Sequence, residues 1–273
     1  MTSVAAGASS STAGSAGALA GRVALLTGSS DGIGFEIARQ FAQQGAQIVL
    51  NGRNAERGAA ALKRLGLSAE RASFQAGDCS RHDDAERVAG GAIARHGAID
   101  ILVTSGAALV PPPMPFHEFA SDDFTRLFET QYLSRVFPIR AALPQLRERG
   151  GSSIVIGTDA ARHVTPGEAI HGGMGAALIL LTKGLAREFS RWRIRVNGLA
   201  LTLTSQTPTY DRIFAQHDFA STLFEKALQR FPRGSAPTAE EVGRVALFLA
   251  TDASAQITGQ TISVNGGLSF GGW

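Results

Sequence analysis

From Arg22 onward the chain alternates short apolar runs with longer amphipathic stretches, and that alternation leaves few folds open to it. Val23-Ala24-Leu25-Leu26 reads as a buried strand, followed by a helix from Gly32 to Gln44. Gln47-Ile48-Val49-Leu50 is a second strand and Ala55 to Leu65 a second helix. Ser73 to Gln75, Ile99 to Val103, Ser153 to Ile156, Ile194 to Asn197 and Thr261 to Val264 supply the remaining strands. Apolar runs of this kind, separated by helices, belong to a parallel sheet covered on both faces. Right-handed crossovers then make the sheet doubly wound, with a ligand crevice at the carboxyl ends of its strands.

At 273 residues the chain suffices for one large domain with a well-buried core. Residues 1–20 are nearly all Ala, Gly, Ser and Thr, with no basic residue and no continuous apolar core. They read as a flexible low-complexity tail, neither a secretory signal nor a membrane span. Residues 21–273 form the single domain, within which 203–237 is expected to be a partly helical flap beside the crevice. The formal net charge is only +3 and no Lys/Arg cluster forms a stripe, so nucleic acid is not an expected partner. Cys79 is the lone cysteine, which excludes an intramolecular disulfide and suits a reducing cytoplasm.

Thr27-Gly28-Ser29-Ser30-Asp31-Gly32-Ile33-Gly34 ends the first strand and opens the first helix. Gly28 permits the tight turn, Gly32 removes a side chain where a pyrophosphate would approach, and Gly34 lets the helix pack on the strand. The backbone N–H groups of Ser30, Gly32, Ile33 and Gly34 then offer an anion site at a helix N-terminus. With the strand pattern, this gives an α/β fold class: a Rossmann-type doubly wound seven-stranded parallel sheet with helices on both faces.

Further motifs extend the likeness. Pro166-Gly167 and the run Ala177 to Glu188 flank His171-Gly172-Gly173-Met174-Gly175, and Val264-Asn265-Gly266-Gly267 closes the series. From Arg22 to Gly267 the chain resembles the short-chain dehydrogenase/reductase superfamily in its one-domain form. The resemblance implies a nicotinamide dinucleotide, a small carbonyl or hydroxy substrate, and assembly as a homodimer or homotetramer. It also implies cofactor contacts at Gly28, Ser30, Gly32, Ile33, Gly34, Arg53, Asp78, Cys79 and Gly106. Gly52 cannot accept from an adenosine ribose, whereas Arg53 can pair with a 2′-phosphate, so NADP(H) is expected in preference to NAD(H). Asp78 has an alternative reading as the cap of a helix starting near His82. No metal ligand set is assigned.

The catalytic end departs from the family. Its Asn, Ser, Tyr and Lys positions fall on Gln131, Thr158, His171 and Gly175. The enoyl-reductase spacing fails as well, because position 178 is Leu. Pro138 is expected to kink the helix carrying Gln131. The residues left with catalytic chemistry are His171 as acid–base, Thr158 as substrate-orienting hydroxyl and Gln131. Histidine, with a reference pKa near ~6.5, needs no neighbouring cation to work at neutral pH, unlike tyrosine near ~10. Two functions follow: an enzyme with rebuilt proton chemistry, redox or non-redox (cyclase, isomerase or lyase), or an inactive subunit supporting an active homologous partner in a hetero-oligomer.

Overall fold

The computed structural model describes residues 17–106 and 111–270. Seven strands form one sheet: β1 (Val23–Leu26), β2 (Gln47–Gly52), β3 (Ala72–Ala76), β4 (Ile101–Thr104), β5 (Gly151–Thr158), β6 (Ile194–Leu201) and β7 (Thr261–Val264). Their order is β3-β2-β1-β4-β5-β6-β7 and every pairing is parallel. The order reverses between β1 and β4, so the loops leaving those two strands diverge and open a crevice between them.

Both faces of the sheet are buried. Along β1, Ala24 and Leu26 point into one core with Phe35, Ile37, Phe41, Val242 and Leu249. Val23 and Leu25 point into the other, with Val88, Ile139, Leu146 and Leu178. The first core belongs to α1 (Gly32–Gln43), α2 (Ala55–Leu65) and α9 (Ala239–Ala250), the second to α3 (His82–His96), α5 (Ser134–Arg149), which follows the short α4 (Ser121–Leu127), and α6 (Ala169–Phe189). Each buried Leu, Ile or Phe contributes about 1.5–3 kcal/mol relative to exposure. Helix α6 is long and apolar enough to match a membrane span. Its Gly175, Leu178, Ile179, Thr182 and Ala186 are nevertheless buried, and it packs along β5 and β6.

Several boundaries differ from the sequence expectation. The tail does not extend to residue 20: Leu19 is 1% exposed in the first core, and its N–H donates to Gln44 O at 2.9 Å. The fourth strand starts at Ile101, because Asp100 turns its carboxylate back onto Val23 N at 2.9 Å and Arg149 Nε at 2.9 Å. β5 and β6 reach Thr158 and Leu201, longer than their apolar runs, because each pairs with its neighbour along eight residues. Helix α5 runs through Pro138 and Pro144, and the distortion lies one turn upstream, as a π-helical turn over Phe128–Leu133. Proline lacks the N–H and crowds the carbonyl four residues back, here that of Ser134, so the backbone adjusts before that point. The segment 203–237 is partly helical as expected, with α7 (Pro208–Ala215) and α8 (Phe219–Leu228) closing on their own small core of Leu203, Ile213, Ala220, Phe224, Phe231 and Ala236.

Candidate active site

The carboxyl ends of the strands and the flap enclose a cleft of about 500 Å³, within the range of small-molecule sites. Gly28, Ser30, Gly32, Ile33, Gly34, Arg53, Asp78, Cys79 and Gly106 line it together with Gln131 and Thr158. The fold thus brings every sequence-predicted site residue into one cavity wall except His171.

The phosphate end is made of backbone. Gly28 has φ +58°, and a Cβ there would overlap Gly106 Cα, so the loops after β1 and β4 touch main chain to main chain. The N–H groups of Ile33 and Gly34 sit in the first turn of α1, where no intrahelical acceptor reaches them. At Gly32 a Cβ would project toward the flap with nothing nearer than Pro208 Cδ at 3.7 Å, leaving room for a ligand. Asp31 caps α1 through Gly32 N at 2.9 Å and forms an ion pair with Arg64 at 3.2 Å, which neutralises the one acidic group of this loop.

Asn51, to which the sequence assigned no role, ties the adenine end together. Its Nδ2 donates to Gln75 O at 3.0 Å and Gly77 O at 3.1 Å, and its Oδ1 accepts from Cys79 Sγ at 3.3 Å and Gly28 N at 3.4 Å. Burial, reinforced by the charges of Asp78 and Asp84, pushes the Cys79 thiol up to about 12, so it is a neutral wall group and no nucleophile. Asp78 does not cap α3, whose N-cap is Arg81. Its Oδ1 accepts from Ser80 N at 3.0 Å and Ser80 Oγ at 2.7 Å, while Oδ2 lies 4.0 Å from Arg53 Nη1.

At the other end, Thr158 terminates β5 and its Oγ1 accepts from Ala160 N at 3.2 Å, which leaves the hydroxyl proton available to the cleft. Its methyl group packs against Gly175. A Cβ on Gly175 would lie 2.7 Å from Thr158 Cγ2 and 2.9 Å from Ala161 Cβ, so this backbone arrangement has no space for a lysine there. Lys183, two turns further along α6, is exposed and does not line the cleft.

His171 is turned away from the cleft. It is 2% exposed, its Nε2 meets Pro111 O at 3.1 Å, and its ring lies 6.3 Å from that of Phe119. A carbonyl partner fixes the Nε2–H tautomer, and burial holds the imidazole below its usual pKa, so it is neutral at pH 7. The expectation of a cleft-facing acid–base histidine is corrected accordingly. Position 171 begins a helix whose buried face points at the segment around Pro111, a direction that spacing alone does not reveal.

Glu168, at the N-cap of α6, lines the cleft with His163 and Thr165. Burial raises its carboxyl to about 7, with the nearby charge of Asp159 adding to the effect and a hydrogen bond from Thr165 opposing it. Sequence reasoning missed it, since a single Glu before a helix usually reads as solvated. Asp159 has a different part. It is 4% exposed and accepts from Ser263 Oγ at 2.7 Å, Asn265 Nδ2 at 2.9 Å and Ser269 Oγ. Arg162 adds bonds to Ser263 Oγ and Thr261 O. The turn after β5 is thereby locked to the C-terminal segment.

The pattern of the family described as Enoyl-(Acyl carrier protein) reductase matches residues 28–269. The bovine Dehydrogenase/reductase SDR family member 4 is 34% identical over 250 residues, covering 90% of this chain and 86% of that protein. The chain belongs to the short-chain dehydrogenase/reductase family. Another relative, the 3-oxoacyl-(acyl-carrier-protein) reductase of Chlamydia trachomatis serovar D, is 30% identical over 256 residues, covering 93% and 99% of the two chains. Among solved structures, a short-chain dehydrogenase/reductase of Brucella melitensis described as a glucose/ribitol dehydrogenase superposes with a TM-score of 0.84 at 30% identity. It covers 93% of this chain and 99% of its own. The relatives named above are dehydrogenases and reductases, and the side-chain-free backbone at Gly28, Gly32 and Gly106 fits a nicotinamide dinucleotide.

Proposed function

We propose that this chain is a nicotinamide-dependent oxidoreductase for a small carbonyl or hydroxy compound, in which Glu168 takes the acid–base part that the family gives to tyrosine. The observation that carries this reading is a carboxyl in the cleft wall poised near 7, where a group can both give and take a proton at physiological pH. The N–H groups of Ser30, Gly32, Ile33 and Gly34 would hold the pyrophosphate, and Asp78 and Cys79 the adenine. Arg53, with an exposed guanidinium beside the end of β2, would pair with a 2′-phosphate and favour NADP(H) over NAD(H). When bound, the nicotinamide supplies or accepts the hydride at the carbonyl carbon.

The chain's own residues handle the proton. Thr158 Oγ donates a hydrogen bond to the substrate oxygen, and neutral Glu168 transfers its proton to that oxygen as negative charge develops there. Glu168 is left as a carboxylate and regains its proton from water at the cleft mouth. In the oxidative direction the carboxylate accepts the alcohol proton instead. His171 pins the Pro111 segment to α6. The homodimer or homotetramer that the family resemblance implies would cover Leu180, which is 68% exposed on α6.

The test is turnover of a carbonyl panel with NADPH and NADH. NADPH is expected to bind more tightly. Glu168→Gln should lower kcat by about 10²–10⁴-fold, the usual contribution of a general acid. His171→Phe should stay within about threefold, because it removes no proton donor from the cleft. The reverse ranking of the two variants would overturn the assignment.

A further inference from the structure

The α5 wall of the cleft holds a charge that the proton chemistry does not use. Arg135 is 5% exposed, yet it lines the cleft. Its Nε donates to Ile156 O at 3.2 Å, and its Nη1 donates to Thr130 O at 2.8 Å and Ser134 Oγ at 2.6 Å. All three acceptors are neutral, and no carboxylate among the described residues pairs with it. Burial lowers the guanidinium to about 10, so it stays protonated at neutral pH. Nη2 makes no hydrogen bond with the described residues and is not fully enclosed, and the side chain that carries it lines the cleft. One turn earlier, Gln131 Nε2 is buried without a partner, a second unmet donor on the same wall.

A desolvated cation held only by neutral dipoles is stable where an anion completes it. A neighbouring amide donor with no acceptor points to the same missing group. The cleft's described carboxyl groups do not fill this role: Asp159 is committed to the C-terminal segment, Asp31 to Arg64, and Asp78 lies beside Arg53. Glu168 is influenced by Thr165 and Asp159 and forms no ion pair with Arg135 among the described residues.

We propose that Arg135, with Gln131 beside it, binds the carboxylate of a small-molecule substrate, so that the compound handled in this cleft is an oxo or hydroxy acid. A guanidinium with a free terminal nitrogen suits a carboxylate oxygen, and a small shift of the Gln131 side chain would bring its enclosed amide to the second. The substrate class rests on the oxidoreductase reading, whereas the anion site does not.

The test is thermal melting of the purified full chain at constant ionic strength. The probes are pyruvate, acetoacetate and benzoylformate, each paired with its neutral amide, with inorganic phosphate as a further anion. The carboxylates should raise Tm and the amides should not. Arg135→Gln should weaken carboxylate binding by at least about tenfold. Arg135→Lys keeps the charge, should retain part of the binding, and checks that the loss is not one of folding. Equal shifts from acids and amides, no shift from any of the three acids, undiminished binding by Arg135→Gln, or a preference for phosphate would each overturn the proposal. NADPH titration in the same samples separates the two readings. Carboxylate binding without NADPH binding sinks the oxidoreductase assignment and leaves the anion site. NADPH binding with no carboxylate preference does the opposite.

Discussion

At the phosphate end of the cleft the working surface is main chain: Gly28 against Gly106, and the N–H groups of Ile33 and Gly34 at the start of α1. At the opposite end it is side chains: Thr158, Glu168, Arg135 and Gln131, each set by its burial and its neighbours. A backbone site depends on a turn geometry that few residues can adopt, so a spacing of glycines identifies it. A side-chain site depends on which groups happen to converge, and its members can be exchanged while the sheet beneath stays the same. The two ends of one cleft therefore follow different rules of change.

The contrast is broken most severely at Gly28. Gly28→Ala introduces a Cβ that collides with Gly106 and places alanine at a positive φ. A loss of at least about 3 kcal/mol is expected from strain and overpacking together, with NADPH affinity falling about a hundredfold or more. Calorimetry and fluorescence titration would measure both, and a variant that binds normally would show that the backbone contact is dispensable.

A second test sits at the side-chain end and uses pH. The Glu168 carboxyl is raised to about 7 in the fold, above its ordinary value of 4.5. Between these values the folded chain keeps a proton that the unfolded chain has lost, so stability falls as pH rises through that window. Glu168→Gln abolishes this slope. Relative to the parent it should gain up to about 3 kcal/mol between pH 4 and pH 8 and little at lower pH. Parallel urea titration curves for the two proteins across that range would remove the physical basis for Glu168 as the proton carrier.

The smallest effect concerns the packed pair of Thr158 and Gly175. A glycine-to-alanine change inside a helix is ordinarily favourable by about 0.5–1 kcal/mol. Here the new methyl meets Thr158 Cγ2 and Ala161 Cβ, so Gly175→Ala should instead cost about 1–2 kcal/mol. Adding Thr158→Ser removes the first of these contacts and should recover part of the loss. A double-mutant cycle reads the coupling directly, and additive effects would show that the two positions do not compensate each other.

This division also explains what could be read from the chain before its structure. The strands and the glycine loop were legible because period, apolar runs and turn chemistry are local properties. Every expected cofactor residue lines the cleft for that reason. His171 misled because a position in an aligned motif carries no information about where the ring points. The deciding contact, with Pro111, spans 60 residues. Glu168 was overlooked because its unusual chemistry comes from burial in the folded cleft wall, with the charge of Asp159 adding to it. Arg135 was equally silent, since the lack of a counter-ion among the described residues is read from the folded cavity and not from its neighbours in sequence.

The lock between Asp159 and the residues Ser263, Asn265 and Ser269 has a consequence for how the fold assembles. The turn after β5 is braced by partners more than 100 residues further along the chain. Most of the sheet can therefore be in place while this corner of the cleft still lacks its anchor, and it becomes ordered only when the edge strand β7 and the residues after it dock.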